Sequence, residues 1–73
     1  MKVVEYRSGP KPVLVVKIKK WGFFKKKKVE IEYQAVRHIA GEFYSWVELP
    51  NKIIVPSSME FQLNEWLIDM RAQ

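Results

Sequence analysis

Apolar and polar residues alternate along most of this chain, and the period of the alternation changes only once. From Val13 to Lys19, Leu14, Val16 and Ile18 fall on one side and Val15, Lys17 and Lys19 on the other, the two-residue period of a half-buried strand. The pattern returns from Val29 to Ala35, with Val29, Ile31, Tyr33 and Ala35 set against Glu30, Glu32 and Gln34. Upstream, "VVEYR" at 3–7 reads as a short strand ended by "SGPKP", where Gly9, Pro10 and Pro12 interrupt any ladder. Downstream, "EFYSWVEL" at 42–49 places Phe43, Val47 and Leu49 on one side and Tyr44 and Trp46 on a polar side. "LPNK" at 49–52 supplies turn residues and "KIIV" at 52–55 completes a hairpin. Residues 33–41 admit two readings: a strand running to a turn at Ala40 and Gly41, or a short helical turn stopped by Gly41.

Beyond Pro56 the period lengthens. Met59, Leu63, Trp66, Leu67 and Met70 recur at helical spacing, and "PSSME" offers Ser57 as N-cap with Glu60 three residues on, a capping box. Phe61 and Ile68 flank this stripe seven residues apart. A helix packed on the sheet is the expected arrangement, with an apolar strip kept for a partner as the other. The pattern thus predicts one domain over 1–73, with strands at about 2–7, 12–20, 28–36, 42–49 and 52–55 and a helix at about 58–71. The fold class is α+β: a small antiparallel sheet, or partial SH3-like barrel, of about five strands with one C-terminal helix packed on it. The order of elements resembles that of the small basic archaeal chromatin proteins, whose SH3-like barrels carry a C-terminal helix; the likeness is one of architecture and implies no site.

The two strongest strands register by parity, because a one-residue slip would turn every side chain over. Pairing Ile18 with Ile31 aligns the apolar faces and sets Lys17 opposite Glu32 and Lys19 opposite Glu30, leaving Trp21 to Lys28 as a loop. A register two residues tighter also aligns the faces, but stacks Lys19 on Lys28 and Lys20 on Lys27. Since like charges repel and opposite charges across strands contribute about 0.2–1 kcal/mol each, the sequence favours the longer loop.

Charge changes the picture most at that loop, "KKWGFFKKKK" at 19–28. Residues 1–28 hold ten of the thirteen basic residues and one of the eight acids, Glu5, a net of +9, whereas residues 29–73 net −4. A solvated, solubilising face is the plainest use of such a run. Burial of Trp21, Phe23 and Phe24 would stabilise the core by about 1.5–3 kcal/mol each, but it would draw Lys19, Lys20 and Lys25 to Lys28 toward low dielectric, at several kcal/mol per unpaired ion. Partial burial is the expected outcome, with Trp21 on the rim and Gly22 letting the backbone bend.

Composition removes most alternatives. The chain has 73 residues and no cysteine, which excludes disulfides, thiol catalysis and cysteine-ligated zinc. Its longest apolar run, "PVLVV" at 12–16, is too short to span a bilayer or form a signal peptide core, so a cytoplasmic location is expected. His38 is the only histidine and Asp69 the only aspartate, so no nucleophile–base–orienter set can be drawn and no cofactor or metal is expected. A non-enzymatic binding protein is the reading that follows. The leading partner is nucleic acid, held without strong sequence specificity by Lys17, Lys19, Lys20, Trp21, Phe23, Phe24 and Lys25, Lys26, Lys27 and Lys28, with Tyr44 and Trp46 as a second stacking platform. Arginine is sparse (Arg7, Arg37, Arg71), which disfavours bidentate base reading. The alternative is a protein-binding regulator, inhibitor or self-associating module, virus-encoded ones included, that uses the aromatic loop and a sheet edge on an acidic protein surface. Contact with anionic membrane is a lesser possibility.

Overall fold

A computed structural model describes residues 2–22, 25–39 and 43–73, with the backbone alone at Lys20, Trp21, His38 and Ile39. Five antiparallel strands, β1 (Lys2–Arg7), β2 (Val13–Trp21), β3 (Lys26–Ile39), β4 (Phe43–Glu48) and β5 (Ile53–Ile54), precede one helix, α1 (Ser57–Arg71). The sheet is an open meander in the order β1-β2-β3-β4-β5, so β1 and β5 are its two edges. Residues 33–39 belong to β3, which settles the ambiguous segment as strand; the expected turn at Ala40 and Gly41 lies outside the described residues, as does Glu42. No described helix is long and apolar enough to cross a membrane.

One face of the sheet carries the core. Leu14, Val16, Ile31, Tyr33, Ala35 and Trp46 from β2, β3 and β4 pack against Leu63 and Leu67 of α1, with Val55 closing the end. Met59, Trp66 and Met70 lie partly buried against the same cluster, so the helical stripe read from the sequence faces the sheet. Phe61 and Ile68 point away, 62% and 43% exposed.

The opposite face has no helix, yet Val13, Val15 and Val47 are buried there. Registration explains two of them. Arg7 stands opposite Val13 and Glu32 opposite Val15, on strands either side of β2. Arg7 pairs with Glu5 on its own strand and reaches Glu32 at 3.7 Å on β3. This ion-pair bridge spans β2 at the level of Val13 and Val15, a position from which long charged side chains can shield apolar surface.

Two bulges interrupt the ladders, one on the β1 edge and one inside the sheet. The register shifts between Val3 and Glu5 and again between Ala35 and Arg37, leaving Val4 and Val36 unpaired and 42% and 39% exposed. A bulge on an edge strand beside Lys2, Glu5 and Arg7 protects β1 from pairing with another chain.

The helix start departs from the expected capping box. Pro56 is the N-cap, in extended conformation, no side chain caps the helix, and Ser57 is already its first residue. Glu60 N–H donates to the Pro56 carbonyl at 2.9 Å. Proline has no N–H of its own to satisfy, and the exposed Ser57 and Ser58 leave the first-turn N–H groups to water.

Burial, and secondarily the Glu48 carboxylate opposite it, raises the Tyr33 hydroxyl above its ordinary value of 10.0. The folded state therefore favours the protonated phenol. Its contribution is fully present below the unfolded value and is lost as pH rises through the raised one. Tyr33→Phe removes this term. Urea midpoints of the two proteins compared from about pH 8 to 11 are expected to diverge above about pH 10; parallel profiles would show that the burial carries no proton linkage.

Candidate nucleic-acid interface

The pairing of β2 with β3 is the tighter of the two registers that parity allows. Val16 faces Ile31, Ile18 faces Val29, and the ladder continues through Lys19↔Lys28 and Lys20↔Lys27 to Trp21↔Lys26. The expected pairing of Ile18 with Ile31, and the loop from Trp21 to Lys28, are thereby corrected. So are the expected pairs Lys17 with Glu32 and Lys19 with Glu30: Lys17 faces Glu30, and Glu32 faces Val15. Extra ladder pairs and a short connection outweigh the lysine–lysine repulsion, since Lys19, Lys27 and Lys28 are exposed and an exposed charge pair is worth well under about 1 kcal/mol. Gly22 N–H donates to the Lys25 carbonyl at 2.7 Å, closing the hairpin. A Cβ at Gly22 would meet that carbonyl oxygen at 3.0 Å, which gives the glycine its place.

The end of this hairpin stands free of the rest of the sheet. β1 accompanies β2 only as far as Lys17, opposite Lys2, and β4 meets β3 only from Tyr33 onward. Leu49 N–H still donates to the Glu32 carbonyl at 2.8 Å, but from Ile18 on β2 and Val29 on β3 to the turn the two strands pair only with each other among the described residues. The result is a two-stranded ribbon projecting from a molecule of 43 × 26 × 20 Å.

Strand alternation sorts the cations onto two faces. Lys26 and Lys28 share the parity of Glu30 and of the face without the helix; Lys27 shares that of Val29 and Ile31, on the helix side. Lys17, Lys19, Lys25, Lys27 and Lys28 are all exposed. The ion pairs found among the described residues are those of Arg7, so none of these five amines is held by a carboxylate there. At the base of the ribbon, Lys2, Lys17, Lys19 and Lys28 line a recess of about 220 Å³ with Ile18.

Lys2 is the residue that the sequence reading missed. The strand at 2–7 is legible, but its register with β2 is not, because the bulge at Val4 breaks simple parity. The charge total of residues 1–28 was the one available signal.

Trp46 corrects the sequence reading in the other direction. It has no exposed surface and belongs to the core, and its Nε1–H donates to Asn64 Oδ1 at 3.2 Å. Tyr44 is half-buried beside it, the rings meeting edge to face at 6.4 Å. The Tyr44 hydroxyl accepts from Arg71 at 3.3 Å, and the guanidinium also lies 5.5 Å from its ring. This hydrogen bond first, and then one that Arg71 donates to the Tyr6 hydroxyl, raise the Arg71 pKa above its ordinary value. The helix covers the Tyr44 and Trp46 side of β4, and Phe43 on the other side is 48% exposed. The two rings are therefore helix-docking residues and offer no open stacking platform.

Phe23 and Phe24 lie outside the described residues, as do the side chains of Lys20 and Trp21, so the expected seat of Trp21 on the rim lies there too. Among the described residues no group of three or more histidine, aspartate or glutamate side chains is placed to hold a metal ion. Compared with known protein families, with curated proteins and with solved structures, the chain matches none.

Proposed function

We propose that this protein binds nucleic acid through its basic β2–β3 ribbon, without strong sequence specificity and without catalysing a reaction. The observation that carries the reading is the register: lysine faces lysine at two successive cross-strand positions, Lys19↔Lys28 and Lys20↔Lys27. Such pairs work against the hairpin that holds them, and an incoming polyanion turns the same crowding into attraction by releasing its own counterions. Lys2 and Lys17 extend the cationic surface to the base of the ribbon.

A salt titration tests it. A ribbon contacting about four to five phosphates implies a slope near −4 in a plot of log affinity against log salt. An interface anchored by apolar side chains would lose far less over the same range. Lys28→Glu sharpens the test, because it places an opposite charge before Lys19. The variant is expected to gain about 0.2–1 kcal/mol in stability while binding falls, as read by thermal melting and fluorescence anisotropy. Binding that survives this change unaltered would defeat the proposal.

One observation favours the second reading, a protein-binding module. The β5 edge consists of Ile53 and Ile54, 55% and 80% exposed, and lacks the charges that guard β1. Salt-insensitive association with a protein, undisturbed by Lys28→Glu, would select it.

A further inference from the structure

We infer that this chain dimerises through its β5 edge, with Ile54 of one copy paired antiparallel to Ile54 of a second copy across a two-fold axis. The inference names an occupant for that edge and stands apart from the nucleic-acid reading.

The register fixes which backbone groups the edge offers. Val55 N–H donates to the Trp46 carbonyl at 3.3 Å, so Val55 and, two residues back, Ile53 turn their backbone groups toward β4. Ile54, opposite Val47, turns its N–H and carbonyl outward. The outward row ends there in both directions. Lys52 leaves the extended conformation with φ 57°, and Pro56, which has no N–H to give, uses its carbonyl for Glu60. An added peptide draws affinity from main-chain bonds repeated along an edge, and this edge has one donor and one acceptor. Those two suffice for a copy of itself. Opposed residues of a hydrogen-bonded antiparallel pair exchange both N–H···O bonds, and a two-fold contact uses the same patch twice.

The side chains fit the same axis. Ile54 is 80% exposed and would meet its own counterpart, a β-branched cross-strand pair. Ile53 then stands opposite Val55 of the second copy on the helix side of the sheet, where Ile53, Val55, Pro56 and Met59 line a recess of about 550 Å³. Charge permits the approach: Glu48 and Lys52, which flank the edge, are opposite in sign, and the lysines of β2 and β3 lie beyond β4. On β1 the bulge and the charges of Lys2, Glu5 and Arg7 bar such a pairing.

An edge this short buries less than the roughly 1,200 Å² of a standard interface, so the dimer is weak and is read at about 0.1–1 mM chain. Sedimentation equilibrium of the 73-residue chain without nucleic acid is expected to show the mass doubling toward the upper concentrations, with no weakening as salt is raised, and exchange of the Ile54 amide hydrogen should slow in step. Ile54→Lys and Ile54→Glu each set like charge against like and should weaken dimerisation at least about tenfold, whereas an equimolar mixture of the two should associate again. Their melting temperatures at low concentration report that the fold is kept. Lys28→Gln should leave the dimer intact, so that this inference and the nucleic-acid reading fail separately. A monomer throughout, a dimer indifferent to Ile54→Lys, or one abolished instead by Phe61→Ser on the exposed helix flank would overturn the pairing.

Discussion

Replacing Lys25, Lys26, Lys27 and Lys28 together by glutamine is expected to weaken nucleic-acid binding by roughly three to four orders of magnitude at 0.1 M salt, because each lost phosphate contact forgoes about 0.9 of a released counterion, a factor of about eight. The fold should remain. All four residues are exposed and lie at or beside the turn, remote from the core cluster around Leu14, Trp46 and Leu67. Glutamine keeps the length and hydrogen-bonding capacity of the side chain, and it removes the repulsion in Lys19↔Lys28 and Lys20↔Lys27, so the melting temperature should hold or rise slightly. Leu67→Ala supplies the contrast: it opens a core cavity costing about 2–5 kcal/mol, and any loss of binding must then track unfolding. The measurements are a binding isotherm at several salt concentrations and a thermal melt for each variant. Full-strength binding by the glutamine variant would end the role assigned to the ribbon.

The basic ribbon was legible as composition before it was legible as geometry. Alternation placed the strands flanking the lysines, and parity reduced the register to two choices. The choice between them turned on how repulsion between lysines compares with the gain from a longer ladder. Exposed amines are screened by water and salt, so Val16↔Ile31, Ile18↔Val29 and the short turn prevailed. The same register that sets lysine against lysine gathers the positive charge on the ribbon.

The faces of β4 were harder to read for a different reason. Phe43, Val47 and Leu49 read as the apolar side and Tyr44 and Trp46 as the polar one, but only the position of the helix decides which side is covered. Asn64 held the clue. It sits among Leu63, Trp66 and Leu67 in the helical stripe, and a polar side chain on an apolar face must find partners when buried. Those partners are on β4, which fixes the helix over Trp46.

The same residue bears the second large expectation: Asn64→Ala should cost about 3–5 kcal/mol, because it removes at once the partner of the buried Trp46 indole N–H and of the half-buried Tyr44 N–H and carbonyl. Beyond Val47 and Glu48, β4 has no β5 neighbour, so the backbone of Tyr44 faces a missing strand. The Asn64 carboxamide takes the place of that strand. Its Oδ1 accepts from Tyr44 N–H at 2.9 Å and from the Trp46 indole at 3.2 Å, while its Nδ2 donates to the carbonyls of Tyr44 and Glu60 at 3.1 and 3.0 Å. No buried side-chain polar atom among the described residues is left without a partner, and Asn64 is 4% exposed, so water cannot readily replace it. The expected loss is comparable with the whole stability of a small domain at roughly 0.05–0.15 kcal/mol per residue, and the variant should be largely unfolded near its former working temperature. Asn64→Leu separates the hydrogen bonds from the volume: it fills the site with apolar atoms yet leaves Tyr44 and Trp46 unpaired, so it too should destabilise. Urea unfolding followed by circular dichroism gives the magnitude, and exchange of the Tyr44 amide hydrogen reports the bond itself. A leucine variant as stable as the parent, with Tyr44 still protected, would mean that apolar contact alone docks the helix and that the amide is dispensable.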